Sequence, residues 1–490
     1  MRLKEWLKEL DYEVMQGGLD QEADEVIFDS RKAAPGSIFV CMHGTKVDSH
    51  DFIPAVTAAG VKVLVTEKKV SVPADVTVIR VANARAALAA LSAARFGYPA
   101  RNMLMIGVTG TKGKTTTTHM LKVVLEQAGR KTGLIGTNGV MIDSWHYPTV
   151  NTTPESYDLH RYFAQMVEAG CECCVMEVSS QAFKMHRVDG IIFDYAIFTN
   201  ISRDHIGPDE HDNFTEYLNC KKMIFNQSRY ALVNQDDEHY GEITAGIGCE
   251  FSSYSLQKEA RFRAKHIHYV SEADFVGLEF TVTGACHLPL RVNLPGRFNV
   301  SNALAAAAVA LCENIPGGQI RQALEHLKID GRMEIVYTCE KFCVIVDYAH
   351  NAVSMESLLN TLRQYHPKRL VCVFGCGGNR SKDRRYAMGE IAGKLADFSI
   401  VTADNSRFEQ VSDIIADIRG SIEKTGGRFI EIPDRRAAIE YSILKARPGD
   451  MIAVIGKGHE DYQEIAGVRY PFLDRKVVDE AVAKWKEQEN

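Results

Sequence analysis

At 490 residues the chain is too long for one hydrophobic core, and its length predicts about three domains. Its 57 Lys and Arg residues nearly balance 63 Asp and Glu residues, and the net charge of −6 excludes a general attraction to nucleic acid or to an anionic membrane. The 12 cysteines are scattered through apolar runs, the N-terminus is no signal peptide, and no apolar run approaches the roughly 18 residues that span a bilayer. The composition therefore predicts a reduced, cytoplasmic protein without a membrane span.

The first segment, residues 1–98, alternates short apolar runs with helical patterns, which is typical of an α/β module. Strands are predicted at residues 26–31, 37–42 and 61–65. Helices are predicted at residues 52–59 and 84–94. Ser30 and His43 follow predicted strands, where α/β sheets bind ligands. On the residues alone, an ordinary surface group is the alternative for each.

The most informative stretch is the segment LMIGVTGTKGKTT at residues 104–116. An apolar strand, a glycine-rich loop and a helix over residues 115–128 follow one another, so backbone N–H groups and a helix N-terminus point at one spot. Such a loop favours a polyphosphate, with Lys114 at the terminal phosphates and the Thr115 hydroxyl on Mg²⁺; a turn without a ligand is the alternative. The loop is a variant, because Val108 stands where the strict P-loop pattern has glycine. The predicted nucleotide-binding residues of this loop are Gly110, Thr111, Lys112, Gly113, Lys114, Thr115 and Thr116.

Two later strand ends carry candidate metal ligands. A buried apolar strand ends on Glu177, as in proteins where an acid at a strand end faces the metal of a nucleotide; a helix cap or a surface acid is the alternative. The next predicted strand is followed by His205, a candidate for a second metal or a structural histidine. Residues 217–225 predict a helix that carries Lys221, and adjacent lysines on a helix normally mark a solvated face. A further helix is predicted over residues 303–311, after the polar stretch that contains Asn302.

From residue 331 the alternation of strands and helices resumes. Four predicted strands end in loops rich in Gly, Asn, Arg, Asp or His, at residues 347–351, 375–380, 403–407 and 456–460. The tips of parallel strands lie along one edge of a sheet, so we expect these four loops to converge on one crevice. The glycine-rich runs among them are weak signals individually, because either could form an ordinary turn.

An ordered set of motifs over nearly the whole chain resembles the Mur ligase family. The motifs are DSR (29–31), GTKGKTT (110–116), NTTPES (151–156), EVSS (177–180), DH (204–205), YLNCK (217–221), GRFNVSNALAA (296–306), GRME (331–334), DYAHN (347–351), GCGGNR (375–380), DNSR (404–407) and GKGHE (456–460). Within the family they are similar to the members that add the third residue of the peptidoglycan stem peptide. The order of the set, more than any single motif, supports the resemblance.

The resemblance implies an α/β fold with three domains: a small N-terminal domain that binds a UDP-linked substrate, a central P-loop ATPase domain with a mostly parallel sheet, and a Rossmann-like C-terminal domain with the amino-acid site. We place their boundaries at residues 1–98, 99–330 and 331–490. It also implies ATP and Mg²⁺ as cofactors, and we expect a monomer whose partners are UDP-N-acetylmuramoyl dipeptide and a diamino acid.

The reaction implied is ATP-dependent amide synthesis. The D-Glu carboxylate of UDP-N-acetylmuramoyl-L-Ala-D-Glu attacks the γ-phosphate of ATP, and the amine of meso-diaminopimelate then attacks the acyl phosphate. Phosphorylation is needed because an amine that attacked the free carboxylate would have to expel oxide, a very poor leaving group. The carboxylate and the ATP phosphates are both anions, so cations must bring them together.

The resemblance assigns a role to each matching position. Lys114, Lys221 and His205 are catalytic; the metal ligands are Thr115, Glu177, His205 and Lys221, the last as a carbamoylated lysine. Asn302, Arg332 and Asp347 match nucleotide contacts. The positions that match substrate contacts are Ser30 and His43 for the uridine nucleotide, Asn151, Thr152, Thr153, Ser179 and Arg187 for the muramoyl dipeptide, and Arg380, Asp404, Asn405, Arg407, Gly456 and Glu460 for the diamino acid.

Arg407 favours diaminopimelate as the added residue. Diaminopimelate-adding members carry Asp-Asn-Pro-Arg where this chain has DNSR, and lysine-adding members usually lack the arginine. Diaminopimelate has one carboxylate more than lysine, and a guanidinium can bind it through two parallel hydrogen bonds. Because Ser406 replaces the proline, lysine or another diamino acid is the alternative. A folylpolyglutamate-type ligase, or a nucleotide-binding switch with the same core, also stays open, although the folate enzymes lack the unit at residues 1–98.

Overall fold

The computed structural model describes residues 1–44, 47–204, 206–207 and 210–489. The predicted metal ligand His205 lies outside these residues. Two compact units make up the chain, Met1–Arg261 with Ala305–Pro316 and Phe262–Leu304 with Gly317–Asn490. In the part of the chain described, no helix combines the length and the apolar run that a bilayer crossing requires.

The first unit begins with a five-stranded sheet in the order β1-β5-β4-β3-β2, in which only β1 is antiparallel to its neighbour. Its elements are α1 (Leu3–Trp6), β1 (Glu13–Gln16), β2 (Glu25–Ile27), β3 (Ser37–Val40), α2 (Ile53–Ala58), β4 (Val63–Thr66), β5 (Thr77–Arg80) and α3 (Ala84–Arg95). Asn83 caps α3 by accepting from the N–H groups of Arg85 and Ala86. The buried alanine and leucine face of α3 packs in the core of this sheet.

A second sheet of this unit follows the order β13-β12-β11-β6-β10-β7-β8-β9. Its elements are β6 (Leu104–Thr109), α4 (Lys114–Gln127), β7 (Thr132–Gly136), β8 (Gly139–Ile142), β9 (Trp145–Tyr147), α5 (Ser156–Glu168), β10 (Cys173–Glu177), α6 (Ser180–Lys184), β11 (Phe193–Phe198), α7 (Phe214–Lys222), β12 (Ser228–Asn234), α8 (Tyr240–Thr244) and β13 (Glu250–Ser255). The strands from β13 to β7 are parallel, while β8 and β9 add antiparallel pairs. The central strand β6 lies between β10 and β11, so the loop after β6 meets the carboxyl ends of both neighbours.

The second unit contains an antiparallel set of three strands, a six-stranded sheet and a hairpin. Its elements are β14 (Phe262–Ser271), β15 (Val276–Gly284), β16 (Leu288–Val292), α9 (Arg297–Cys312, shared with the first unit), α10 (Gly317–Glu325), β17 (Glu334–Thr338), β18 (Phe342–Asp347), α11 (Ala352–Arg363), β19 (Arg369–Phe374), α12 (Lys382–Leu395), β20 (Phe398–Val401), α13 (Val411–Thr425), β21 (Phe429–Glu431), α14 (Arg435–Leu444), β22 (Asp450–Ile455), β23 (Tyr462–Ile465), β24 (Val468–Pro471) and α15 (Asp474–Glu489). The six-stranded sheet has the order β17-β18-β22-β19-β20-β21 and is parallel except for β17. The predicted α/β class with mostly parallel sheets is confirmed.

The helix predicted over residues 303–311 begins earlier, at Arg297, so the polar residues predicted to precede it belong to its first turns. The asparagines of this stretch satisfy one another inside the helix. Asn299 Nδ2 donates to the carbonyl of Pro295 at 2.7 Å, and Asn302 Nδ2 donates to Asn299 Oδ1 at 3.0 Å. Buried polar groups that pair locally do not interrupt a helix, which the sequence pattern alone could not reveal.

His160 on α5 predicts a pH-dependent stability. It is 2% exposed, neither ring nitrogen has a hydrogen-bond partner among the described residues, and burial lowers its pKa from 6.5 to about 4. The unfolded chain therefore binds a proton first, and the folded state loses stability as the pH falls below 6.5. We expect a loss of about 3 kcal/mol by pH 4 from this residue. Urea unfolding of the variant His160→Leu should show a flatter profile between these pH values, whereas His287→Leu, at an exposed histidine, should follow the wild type.

The buried pair Arg435–Asp474 holds the tips of two strands in the second unit. Arg435 Nε and Nη2 donate to the two Asp474 oxygens at 2.8 and 2.6 Å, and both side chains are 0% exposed. The same guanidinium donates to the carbonyl of Ala403, two residues after β20, and to that of Ile455, the last residue of β22. Arg435 therefore connects the strands that precede two of the four polar loops.

Replacing Arg435 by Met leaves the Asp474 carboxylate buried without its cation. We expect the free energy of unfolding to fall by about 3–5 kcal/mol, measured by denaturant titration. The neighbouring variant Arg436→Met is the matched control, because Arg436 pairs with Glu480 at the surface and its loss should be undetectable. Equal stability of the two variants would contradict an anchoring role for Arg435.

Candidate active site

The loop after β6 is held by the end of β11. Thr111 N–H donates to the carbonyl of Asn200 at 2.9 Å, and Lys112 N–H donates to Asn200 Oδ1 at 2.9 Å. Gly110 has a φ of +139°, and a Cβ there would lie 2.0 Å from Thr199 Oγ1, so a side chain is excluded. Val108 is a buried residue of β6 paired with Glu177 and Ile197, and glycine is not needed there. This placement explains the variant P-loop pattern.

Lys114 and Lys221 converge on one carbonyl group. Lys114 Nζ donates to the carbonyl oxygen of Gly110 at 2.9 Å, and Lys221 Nζ donates to the same oxygen at 3.0 Å. Burial lowers the pKa of both lysines, and the charge of Lys114 lowers that of Lys221 further. Lys221 is therefore an inward-facing amine that loses its proton readily, in contrast to the solvated lysine that its helix pattern suggested.

Glu177, at the end of β10, accepts hydrogen bonds from two neighbouring threonines. Its Oε1 accepts from Thr115 Oγ1 and from the N–H of Thr137, both at 2.9 Å, and its Oε2 accepts from Thr137 Oγ1 at 3.2 Å. Glu177 is buried, and its carboxylate lies beside the first turn of α4. Hydroxyl and carboxylate oxygens at a helix N-terminus form a donor set that fits Mg²⁺ with a phosphate.

The predicted dipeptide-binding residues surround the same strand end. Thr153 Oγ1 donates to the carbonyl of Glu177 at 2.9 Å and accepts from the N–H of Ser179 at 3.1 Å. Arg187 donates to the Thr153 carbonyl at 3.1 Å and to Glu155 at 2.5 Å. Thr153 is fully buried, and its hydroxyl connects the backbone of Glu177 to that of Ser179. The residues of this group that reach solvent are Asn151, Thr152, Ser179 and Arg187.

Ser30 and His43 lie at the carboxyl edge of the N-terminal sheet, after β2 and β3. Ser30 is half-buried, and His43 is exposed with its Nδ1 3.6 Å from Asp48 Oδ2. Asp48 also binds Lys68 Nζ at 2.8 Å and His50 Nδ1 at 2.5 Å. Sequence reasoning did not single out Asp48, because an acid in a polar loop carries no periodic signal.

The predicted nucleotide contacts of the second unit lie around the end of β18. Asp347 accepts from the N–H groups of Met333 and Ala349, each at 2.7 Å, and burial raises its pKa despite these bonds. The Arg332 guanidinium lies 5.2 Å from the ring centroid of Tyr348. Asp347 therefore fixes the turn that presents Arg332. Asn302 is buried within α9.

The polar loops of the six-stranded sheet meet, as the sequence predicted. Asn405 Nδ2 donates to Glu460 Oε2 at 2.9 Å, the N–H of Gly456 donates to the Asp347 carbonyl at 3.2 Å, and Arg407 Nη1 donates to the Gly378 carbonyl at 2.7 Å. These bonds connect all four loops at the carboxyl edge of the sheet.

Arg407 and Arg380 differ in how they are held. Arg407 has a φ of +50°, and its backbone is paired with β23 and the following turn through Glu464 and Ala466. Its Nε lies 3.5 Å from Glu464 Oε2. Arg380 is exposed at the tip of its loop, and Asp404 is buried and accepts from the N–H of Asn405 at 2.6 Å.

Sequence reasoning missed two buried cations behind these loops. Lys457 is 0% exposed and bonds to Asn405 and Glu460. Arg385 on α12 binds both oxygens of Glu409 at 2.8 Å, which ties the helix to the loop after Arg407. The signal for Lys457 was its place inside the GKGHE motif, but burial of a lysine cannot be predicted from the motif.

The fold and this site define a P-loop nucleotide-binding protein that gathers polar groups at the carboxyl edges of parallel sheets. Sequence profiles match three segments: "Mur ligase family, catalytic domain" at residues 23–96, "Mur ligase middle domain" at 108–310 and "Mur ligase, glutamate ligase domain" at 331–458. The chain belongs to the Mur ligase family. Members of this family are ATP-dependent ligases, and this chain is an ATP-dependent acid–amino-acid ligase.

Three similar proteins are informative. A UDP-N-acetylmuramoyl-L-alanyl-D-glutamate--2,6-diaminopimelate ligase from Clostridium perfringens is 40% identical over 485 residues, 98% of this chain and 99% of the relative. A solved structure of an enzyme with the same name has a TM-score of 0.78 and 27% identity, and the alignment covers 100% of this chain and 99% of that one. A folylpolyglutamate synthase from Mycobacterium tuberculosis, solved with ADP, has a TM-score of 0.56 and 17% identity, covering 74% of this chain and 91% of that one, which shows a shared fold alone.

Proposed function

We propose that the chain adds meso-diaminopimelate to the D-Glu carboxylate of UDP-N-acetylmuramoyl-L-Ala-D-Glu, with ATP converted to ADP and phosphate. The observation that supports the ATP-dependent step is the convergence of Lys114, Thr115 and Glu177 at the N-terminus of α4. The identity of the substrates rests on relatives with that printed name over nearly the full length of both chains.

The chain's own groups then have distinct roles. The N–H groups of the loop at Gly110–Thr116 and the α4 N-terminus bind the phosphates, and the ammonium of Lys114 moves from the Gly110 carbonyl to the terminal phosphate. Thr115, Glu177, His205 and a carbamoylated Lys221 are the proposed metal ligands. Bound Mg²⁺ would supply positive charge that offsets the phosphate charge and favours attack by a carboxylate.

Lys221 is chemically suited to carbamoylation. A carbamate forms when an unprotonated amine attacks CO₂, and both burial and the charge of Lys114 favour the unprotonated amine. The reaction converts a cation beside Lys114 into an anion. The repulsion between two ammonium groups is thereby replaced by attraction, and a carboxylate-like metal ligand is created.

The remaining assignments are also proposals. Ser30 and His43 bind the uridine nucleotide, and the residues around Thr152 and Ser179 bind the muramoyl dipeptide. Asn302 lies near the adenine, and Arg332 and Asp347 contact the nucleotide. Arg380, Asn405, Arg407, Gly456 and Glu460 bind diaminopimelate. We also propose a monomer with domains at residues 1–98, 99–330 and 331–490 that acts in the cytoplasm, where its 12 unpaired cysteines would stay reduced.

Release of ADP tests the proposal. Purified protein is given ATP, Mg²⁺, UDP-N-acetylmuramoyl-L-Ala-D-Glu and one amine at a time: diaminopimelate, lysine, ornithine or none. We expect turnover that requires both substrates and is fastest with diaminopimelate, with a UDP-linked tripeptide as product by mass spectrometry. Turnover with lysine alone would overturn the choice of amine, and no turnover with any amine would overturn the reaction.

Glu177 provides a test of the metal site. In Glu177→Gln the neutral amide keeps an oxygen near Thr115 but removes the negative charge, so we expect the Mg²⁺ concentration for half-maximal rate to rise about tenfold or more. The measurement is a Mg²⁺ titration at saturating ATP. Glu172 is exposed and directly precedes β10, so Glu172→Gln should show the same Mg²⁺ requirement as the wild type. An unchanged Mg²⁺ requirement in Glu177→Gln would remove Glu177 from the metal site.

A further inference from the structure

Lys457 follows β22, and its ammonium is completely enclosed. It donates to Asn405 Oδ1 and to Glu460 Oε2, each at 3.0 Å, and Asp404 Oδ1 lies 3.9 Å away. The ring centroid of Tyr462 lies 5.2 Å from the same nitrogen. A buried ammonium is strongly unfavourable without such partners, so these acceptors are what allow a cation at this place.

These contacts determine which way the Asn405 amide faces. Lys457 Nζ and the N–H of Glu464 can donate only, and both lie on Asn405 Oδ1, at 3.0 and 2.9 Å. The amide nitrogen therefore faces the other way and donates to Glu460 Oε2 at 2.9 Å. A flipped amide would place its NH₂ group against an ammonium and its oxygen against a carboxylate.

The Glu460 carboxylate is oriented by the same cation. Its Oε2 accepts from Lys457 and Asn405, while its Oε1 lies 3.5 Å from the Tyr348 hydroxyl, at the outer limit of a hydrogen bond. Glu460 keeps 20% of its side chain exposed. Its Oε1 can therefore accept from an incoming group.

Asn405 and Glu460 together can bind the two charged groups of an amino acid. Asn405 Nδ2 has a second hydrogen that can donate to a carboxylate, and Glu460 Oε1 can accept from an ammonium. Both functions depend on the orientations described above. A buried Lys457 cannot itself reach the ligand, so its influence must pass through these two side chains.

We propose that Lys457 is a positioning residue for the diamino acid, because it orients Asn405 and Glu460 for the ligand's carboxylate and ammonium. This inference rests on the proposed function, which places both residues at the diamino-acid site. Lys457 acts on amino-acid binding, with no role at the ATP phosphates.

The variant Lys457→Met tests this, since methionine keeps an unbranched side chain and removes the donors. We expect the KM for diaminopimelate to rise about tenfold or more, with kcat changed less than about threefold and the KM values for ATP and the UDP-linked dipeptide within about twofold. Lys445→Met, at an exposed lysine of the same unit, should leave all three KM values unchanged. An unchanged KM for diaminopimelate, or an equal rise for all three substrates, would overturn the proposal.

A double-mutant cycle separates positioning from general structural damage. Because Lys457 acts through Asn405 and Glu460, Lys457→Met should raise the KM by a smaller factor in an Asn405→Ala background than in the wild type, where both side chains are affected. Fully additive effects would contradict the inference. Lys457→Gln is the second variant if the methionine variant fails to fold, because its amide can still donate to Asn405 Oδ1 and should give a smaller rise.

The wild-type protein supplies an independent check. In a crystal structure with diaminopimelate, we expect Asn405 Oδ1 to stay on Lys457 while Asn405 Nδ2 and Glu460 contact the ligand. An Asn405 side chain turned away from Lys457 would overturn the inference. If the wild type uses no diamino acid, the proposed function fails; if it does and the Lys457 variants bind it normally, only this inference fails.

Discussion

The variant Lys221→Ala should lose at least about 100-fold in kcat, because it removes the group that we propose as a carbamate ligand beside Lys114. Binding of the UDP-linked dipeptide should change far less, since Lys221 lies on the P-loop carbonyl of Gly110. The measurement is ADP release at saturating substrates. A short carboxylate such as formate, supplied in solution, should restore part of the rate, because it can replace the lost anion.

Lys222 provides the matched control for this prediction. It follows Lys221 on α7 but faces the surface, where it donates to the carbonyls of Glu242 and Ala245. Lys222→Ala should keep the wild-type rate. In wild-type protein equilibrated with ¹³C-bicarbonate, NMR should show a carbamate signal that is absent from Lys221→Ala. A full rate in Lys221→Ala, or no such signal in the wild type, would contradict the proposed role.

The variant Arg407→Ala should raise the KM for diaminopimelate by roughly 30-fold or more, through loss of about 2–4 kcal/mol of paired-charge binding. Arg407→Lys should recover only part of the affinity, because an ammonium cannot form two parallel hydrogen bonds to a carboxylate. The KM for ATP should not change. Kinetics with diaminopimelate and with lysine as the amine measure both effects.

Arg419, at the surface of the same unit and paired with Glu431, is the matched control. Arg419→Ala should leave the KM for diaminopimelate at its wild-type value. If Arg407→Ala also binds diaminopimelate normally, Arg407 is not at the amino-acid site, and the choice of diaminopimelate over lysine loses its physical basis.

Local patterns predicted the parts of the site that lie on one continuous segment. The strand, loop and helix around Lys114 were predictable because apolar periodicity, glycines and a helix start occur in sequence. The convergence of the loops at Asn405 and Glu460 was predictable because parallel strands end on one edge. Each of these predictions needed only neighbouring residues and a general rule of topology.

Features that depend on distant packing were not predictable. Lys221 has the sequence signature of a surface lysine, yet α7 turns it onto the carbonyl of Gly110, which is 111 positions away in the chain. The start of α9 at Arg297 depends on buried asparagines that pair with each other. Val276 of β15 packs in one core with residues of the six-stranded sheet, and an antiparallel strand carries no signal of the sheet it will join.

The most direct test of the whole account follows oxygen from the substrate carboxylate. UDP-N-acetylmuramoyl-L-Ala-D-Glu labelled with ¹⁸O in the reacting D-Glu carboxylate is converted in unlabelled water, and the released phosphate is analysed by mass spectrometry. A carboxylate that attacks the terminal phosphate keeps one of its oxygens on that phosphate, so we expect one ¹⁸O atom in each phosphate formed with diaminopimelate. Phosphate without the label would mean that water, and not the carboxylate, accepts the phosphoryl group, and would contradict the account.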